Sequence, residues 1–145
     1  MDNKFIKFEI VTPERVVLRE EITQITVPTK VGEITVLPNH IPLVSSLQPG
    51  VVHVKKKNGE EEIMSISGGF LEVLKDKVVI LADTAERAEE IDLGRVEEAR
   101  KRAVELKEKA RRGENVDFVE VNAAIERELA RTKAIKRWRK IKNIE

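Results

Sequence analysis

The chain has 145 residues, enough for one domain or one domain with a small appendage. It has no cysteine, which excludes a disulfide framework and a thiolate metal site. No apolar run approaches the roughly 20 residues that cross a bilayer. Met1 to Lys7 carries neither a signal-peptide core nor a basic transit sequence. The expectation is a cytosolic protein without direct membrane insertion. The net charge of +1 conceals an asymmetry. Residues 1–90 hold 11 Lys+Arg against 15 Asp+Glu, and residues 91–145 hold 16 against 11.

Ile6, Phe8 and Ile10 alternate with Lys7 and Glu9, the pattern of a half-buried strand, which Thr12-Pro13 ends. Val16 and Leu18 continue it. Ile25 and Val27 predict another strand up to Pro28, and Ile34 and Val36 a short one after Gly32. Two prolines exclude Leu37 to Pro42 from a central strand, so this segment reads as a structured surface loop. Pro49-Gly50 is the next turn signal. Val51–Lys57 and Glu60–Ile66 flank Asn58-Gly59, the preferred pair of a two-residue type I′ turn. That register would set Lys57, Lys56 and Lys55 opposite Glu60, Glu61 and Glu62, each pair worth about 0.2–1 kcal/mol. Gly68-Gly69 leads into Phe70–Leu74. Val78–Ala82 is apolar on both faces, which predicts a position inside the sheet system. Nine or ten short strands in two packed sheets follow from this spacing.

At Leu81–Asp92 the apolar period changes from about 2 to about 3.6, the change from strand to helix. The predicted organisation is α+β: a sandwich over residues 1–86 and a helical hairpin over 87–145. Asp92 suits an N-cap, and Leu93, Val96, Ala99, Ala103, Leu106 and Ala110 form an apolar row. Gly113 suits the position after a helix end. Asp117-x-x-Glu120 resembles a capping box, and Phe118, Val121, Ile125 and Leu129 form the second apolar face. The short link makes the helices antiparallel. These faces are too small to order the hairpin unaided, so it needs a surface to lie on.

No phosphate-binding glycine loop is present. Ser67 lacks the first glycine of a nucleophile elbow, and His40 and His53 sit in no metal-spaced cluster. The reading is a protein with no catalytic and no metal site of its own. Two cationic features remain. Arg95 and Arg102 on the first helix and Arg127 and Arg131 on the second could converge on phosphate. By spacing alone, each could equally be solvated, or Arg131 could pair with Glu128 three residues before it. The run Lys133, Lys136, Arg137, Arg139, Lys140 and Lys142 meets no acid before Glu145, which suits an anionic partner or simply a helix C-terminus. A nucleic-acid partner is disfavoured, because Trp138 is the sole aromatic in this tail.

Gly32–Leu43, Leu47-Gln48-Pro49-Gly50 and Ser67–Val73, with the seam at Leu81–Asp92, resemble the epsilon subunit of bacterial and chloroplast F-type ATP synthases. The resemblance implies a ten-stranded β-sandwich followed by a two-helix hairpin. It implies a non-catalytic central-stalk subunit that binds gamma and stands on the c-ring, coupling proton or sodium flow to ATP synthesis. Glu33 and His40 would lie in loops near the c-ring. The hairpin would fold on the sandwich or extend along gamma toward the catalytic alpha and beta subunits, inhibiting ATP hydrolysis. Lys133, Lys136, Arg137, Arg139 and Lys140 would then face acidic segments of beta. Such a protein would be peripheral, on the cytoplasmic face of a bacterial cell membrane.

Some members of the family bind ATP in the folded hairpin as a regulatory ligand, none being obligatory. Here Ile91-Asp92-x-x-Arg95 matches their motif, with Val96 where the pattern has Ala, and Glu86, Arg102, Arg127 and Arg131 match the remaining nucleotide contacts. The resemblance turns the reading toward nucleotide binding. Its alternative is a hairpin that has lost ATP and answers only to the rotor.

Overall fold

A computed structural model describes residues 4–143. Seven strands are formed among these residues, then a 3₁₀ turn and two helices. The strands are β1 (Ile6–Val11), β2 (Val16–Thr29), β3 (Gly32–Val36), β4 (Leu43–Lys56), β5 (Glu61–Val73), β6 (Lys77–Ala82) and β7 (Ala85–Arg87). The turn is Ala88–Glu90, and the helices are α1 (Leu93–Arg111) and α2 (Phe118–Ile141). The boundary read between residues 86 and 87 falls within β7.

The nine or ten strands expected from the turn signals are seven among the described residues because three are long. β2 and β4 have 14 residues each and β5 has 13. Pro49-Gly50, read as a turn, lies inside β4, and Gly68-Gly69, read as a strand entry, lies inside β5. β2 changes partner along its length: its first half pairs with β1, its second half with β4 and β3. The strand order is β1-β6-β5-β4-β2-β3, and the β1–β2 pairing closes it into a flattened barrel, the sandwich. Its interior holds Phe8, Ile10, Ile22, Ile25, Val27, Met64, Ile66, Leu71 and Ile80, all at most 1% exposed.

Two local expectations change. The β4–β5 link has three residues, not two. Lys56 and Glu60 bond across it (Lys56 N–H to Glu60 O, 2.7 Å), and Lys55 faces Glu61. Gly59 alone takes a positive φ, 90°, so this is a type I turn closed by a left-handed glycine. The cross-strand charges shift accordingly: Lys56 bridges Glu62 at 3.3 Å and Glu20 at 3.4 Å, and Lys57 reaches Glu21 at 2.9 Å. β6 does lie inside the sheet, between β1 and β5, but its outer face is uncovered. Leu81 and the neighbouring Phe70 and Val44 are 55%, 60% and 75% exposed.

The helix ends match their signals. The Asp92 carboxylate accepts from Arg95 N–H, and that of Asp117 from Val119 and Glu120 N–H. After Arg112, Gly113 N–H bonds Ala110 O and Glu114 N–H bonds Lys109 O, a Schellman closure. α1 and α2 pack antiparallel, and α2 lies on β4 and β5. The buried residues differ from the expected rows. Val96, Ala103 and Val121 are buried, but Leu106, Phe118 and Leu129 are exposed.

Candidate functional site

The surface that decides the hairpin's position is its seam with the sandwich. α2 presents Ala134, Trp138 and Ile141 to Val51 on β4, Ile63 on β5 and Ala88 in the 3₁₀ turn. This cluster is separate from the sandwich core, so the barrel interior is complete without the helices. Ala134 is fully buried, whereas Trp138 and Ile141 are only half-covered.

Ion pairs fasten both ends of the seam. Arg137 Nη2 donates to Glu33 Oε1 at 2.7 Å, with Lys133 Nζ 3.7 Å from the same oxygen. Glu33 lies on the edge strand β3, next to the turn, rather than in a loop. His40 does lie in the loop before β4, where its Nδ1 is 2.6 Å from Ile41 O. Of the remaining basic residues, Lys136 and Lys140 are exposed and Arg139 is half-buried. At the other end, Arg131 Nη2 bonds the Glu86 carboxylate of β7, and Arg131 Nη1 bonds Glu128 Oε1 at 2.6 Å. Below the seam, Arg87 is 3.6 Å from Glu62, which ties β7 to β5. Burial opposes the charge of Lys56, yet Glu62 and Glu20 outweigh it and hold its pKa above the ordinary lysine value.

Of the residues matched to a nucleotide site, Glu86 and Arg131 are brought into contact across the seam, and Asp92 and Arg95 meet within the first turn of α1. Asp92 is the α1 cap, and its carboxylate is 3.9 Å from the exposed Arg95. Ile91 is half-buried at the end of the 3₁₀ turn. Arg102 is exposed on α1. Arg127 lines a groove of about 340 Å³ between the helices with Ala103, Leu106, Val121 and Ala124. Val96, which stands where the motif has Ala, is 4% exposed.

This arrangement of sandwich and docked hairpin has known counterparts. A profile described as "ATP synthase, Delta/Epsilon chain, beta-sandwich domain" matches residues 5–88. The chain belongs to the ATP synthase delta/epsilon family. The ATP synthase epsilon chain of Chloroflexus aggregans is 52% identical over 93 residues, covering 64% of this chain and 66% of that one. That of Herpetosiphon aurantiacus is 54% identical over 93 residues, covering 64% and 68%. The match thus spans just under two thirds of the Chloroflexus chain. A chain in the cryo-EM structure of the Euglena gracilis mitochondrial ATP synthase, OSCP/F1/c-ring in rotational state 1, superposes with TM-score 0.81 and 26% identity. It covers 93% of this chain and 84% of its own, so the likeness extends beyond the sandwich into the hairpin. A chain in the central stalk and c-ring of the Tetrahymena thermophila mitochondrial ATP synthase shares the fold, with TM-score 0.52, 18% identity and coverage of 61% and 70%.

Within this family member, three features were not legible as a site. Ala134 is too small to stand out in a hydrophobic pattern. Glu33 and Arg137 are 104 positions apart. Glu128 could be read as a partner of Arg131, but nothing in its spacing shows that it is buried.

Proposed function

We propose that this chain is the epsilon subunit of an F-type ATP synthase, a non-catalytic part of the rotor's central stalk. The sandwich carries the contacts with gamma and the c-ring and helps couple proton or sodium flow to ATP synthesis. The uncovered face at Val44, Phe70 and Leu81 supports a macromolecular partner on the sandwich. Among the described residues no helix is long and apolar enough to cross a membrane, which agrees with a peripheral subunit on the cytoplasmic face of a bacterial cell membrane.

The hairpin is the regulatory part. The observation that carries this reading is the separation of the two hydrophobic clusters. Lifting α2 exposes a small seam and leaves the sandwich core untouched, so docked and extended states differ by few contacts. Lifting also frees Lys133 and Arg137 from Glu33. They then join Lys136, Arg139 and Lys140 as a basic strip suited to acidic segments of the catalytic subunits. Extended, the hairpin inhibits ATP hydrolysis; docked, it does not. Deleting residues 92–145 tests this: hydrolysis by the assembled enzyme rises while assembly is kept. Unchanged hydrolysis removes the inhibitory role.

ATP acts on the same equilibrium as a ligand of the docked hairpin, through Glu86, Ile91, Asp92, Arg95, Arg102, Arg127 and Arg131. At about 100 dissociation constants it would add roughly 2.7 kcal/mol to the docked state. A second reading, in which ATP binds weakly or not at all and only the rotor sets the hairpin, is favoured by Arg131 being already held by Glu86 and Glu128. Calorimetric titration of ATP into the whole chain, with Arg127→Ala as control, separates the two.

A further inference from the structure

Arg131 is gripped by carboxylates from two different elements. Glu86 stands on β7 and reaches Nη2; Glu128 stands on α2 itself and reaches Nη1 at 2.6 Å. The Glu128 side chain is only 5% exposed. Among the described residues, its second oxygen, Oε2, is buried without a hydrogen-bond partner. We propose that Glu128 is an internal anion that competes with the phosphates of a nucleotide for Arg131, and so sets how tightly the hairpin takes that nucleotide. The inference rests on the nucleotide reading of the same hairpin.

A guanidinium binds phosphate through a fork of parallel N–H groups. Each terminal nitrogen of Arg131 already gives an N–H to a carboxylate, so an arriving phosphate meets a fork that is partly taken and two negative charges that repel it. The two carboxylates are not equivalent. Glu86 holds Arg131 only while α2 lies on the sandwich, because it belongs to the other side of the seam. Glu128 is three residues before Arg131 on one helix and travels with it, so its grip persists in every position of the hairpin. A buried carboxylate with one oxygen unmatched is strongly tied to its one cation, since water screens the pair little.

The test titrates ATP, ADP and adenosine into the full chain and into Glu128→Gln and Glu128→Ala, by calorimetry. Glutamine keeps the size and one oxygen acceptor for Arg131. Thermal melting checks that each variant is folded, and alanine supplies the answer if the glutamine variant is not. Trp138 emission reports the docked hairpin in the same samples. The expected result is a gain in ATP affinity on the order of tenfold, a smaller gain for ADP and none for adenosine. Unchanged or weaker ATP binding in folded variants, with the wild type binding ATP, overturns the competition and leaves the nucleotide reading standing. An equal gain for adenosine also overturns it, since that would mean a loosened pocket rather than a freed cation. No ATP binding by any of the three proteins overturns both.

Discussion

Replacing Ala134 by aspartate puts a carboxylate at the most deeply covered point of the seam. Ala134 is 0% exposed and packs in an apolar cluster with Val51, Ile63 and Ala88. An uncompensated buried charge costs about 3–5 kcal/mol. The seam it opposes is of similar size: Val51 and Ile63 contribute about 1.5–3 kcal/mol each on burial, and Trp138 and Ile141 add part of that. The ion pairs at the Glu33 end add little, because Lys133, Arg137 and Glu33 are 57%, 31% and 38% exposed, and such pairs are worth about 0–1 kcal/mol. Ala134→Asp therefore lifts the hairpin from most molecules without unfolding the sandwich, whose core is a separate cluster. Trp138 is the only tryptophan and half-covered by the seam, so it reports directly. Its emission shifts to longer wavelength and acrylamide quenches it more strongly, while urea unfolding of the strands keeps its midpoint. Leu129→Asp, at a 49% exposed position of α2, leaves Trp138 unchanged. A folded Ala134→Asp protein whose Trp138 is quenched no faster than the wild type's would refute the seam.

Removing the charge of Glu33 with glutamine weakens docking only slightly, by about 0–1 kcal/mol; the small rise in Trp138 quenching should match that produced in the wild type by raising salt, and a salt response equal in both proteins contradicts it. Gly69→Ala strikes the sandwich instead. At φ 150° an added Cβ would lie 2.2 Å from Leu81 O, a backbone atom that cannot step aside. The loss is on the order of 3 kcal/mol in urea unfolding, and a loss under about 1 kcal/mol would contradict the close approach. Lys57 donates to Glu21 and attracts it, holding the Glu21 carboxyl below the usual range. Its contribution to stability is therefore present above the ordinary glutamate pKa and is lost as the pH falls through the lowered one. An NMR titration should find the Glu21 midpoint below that of a free glutamate and back in the ordinary range in Lys57→Gln; an unshifted wild-type midpoint contradicts the pair.

The parts of this fold that are local in sequence were legible. Asp92, Asp117 and Gly113 mark helix ends because capping involves groups only a few residues apart. The alternation Ile6, Phe8, Ile10 marks a core face for the same reason. What misled is equally physical. Pro49-Gly50 carries turn chemistry, yet β4 continues through it. Asn58-Gly59 predicted a two-residue turn, but Asn58 keeps a negative φ and Lys57 joins the loop, which moves each cross-strand pair by one position. On α2, the apolar residues Phe118 and Leu129 outrank Ala134 in any hydrophobic pattern, yet the sandwich accepts the flatter, smaller side. Docking selects shape as well as polarity. The pairing of Arg131 with Glu128 was legible from their spacing on one helix, but its pairing with Glu86 depends on where β7 lies.

The most direct measurement of the central claim, that a lightly docked hairpin governs hydrolysis, is a crosslink. The chain has no cysteine, so Glu33→Cys with Arg137→Cys gives one reactive pair across the seam for a short bifunctional reagent. In the assembled enzyme, crosslinking should be slower when the hairpin is drawn upward during turnover without added nucleotide excess, and faster at high ATP. The crosslinked enzyme should hydrolyse ATP as fast as one lacking residues 92–145. A pair that crosslinks at one rate in every condition, with hydrolysis unaltered by the link, would contradict the account.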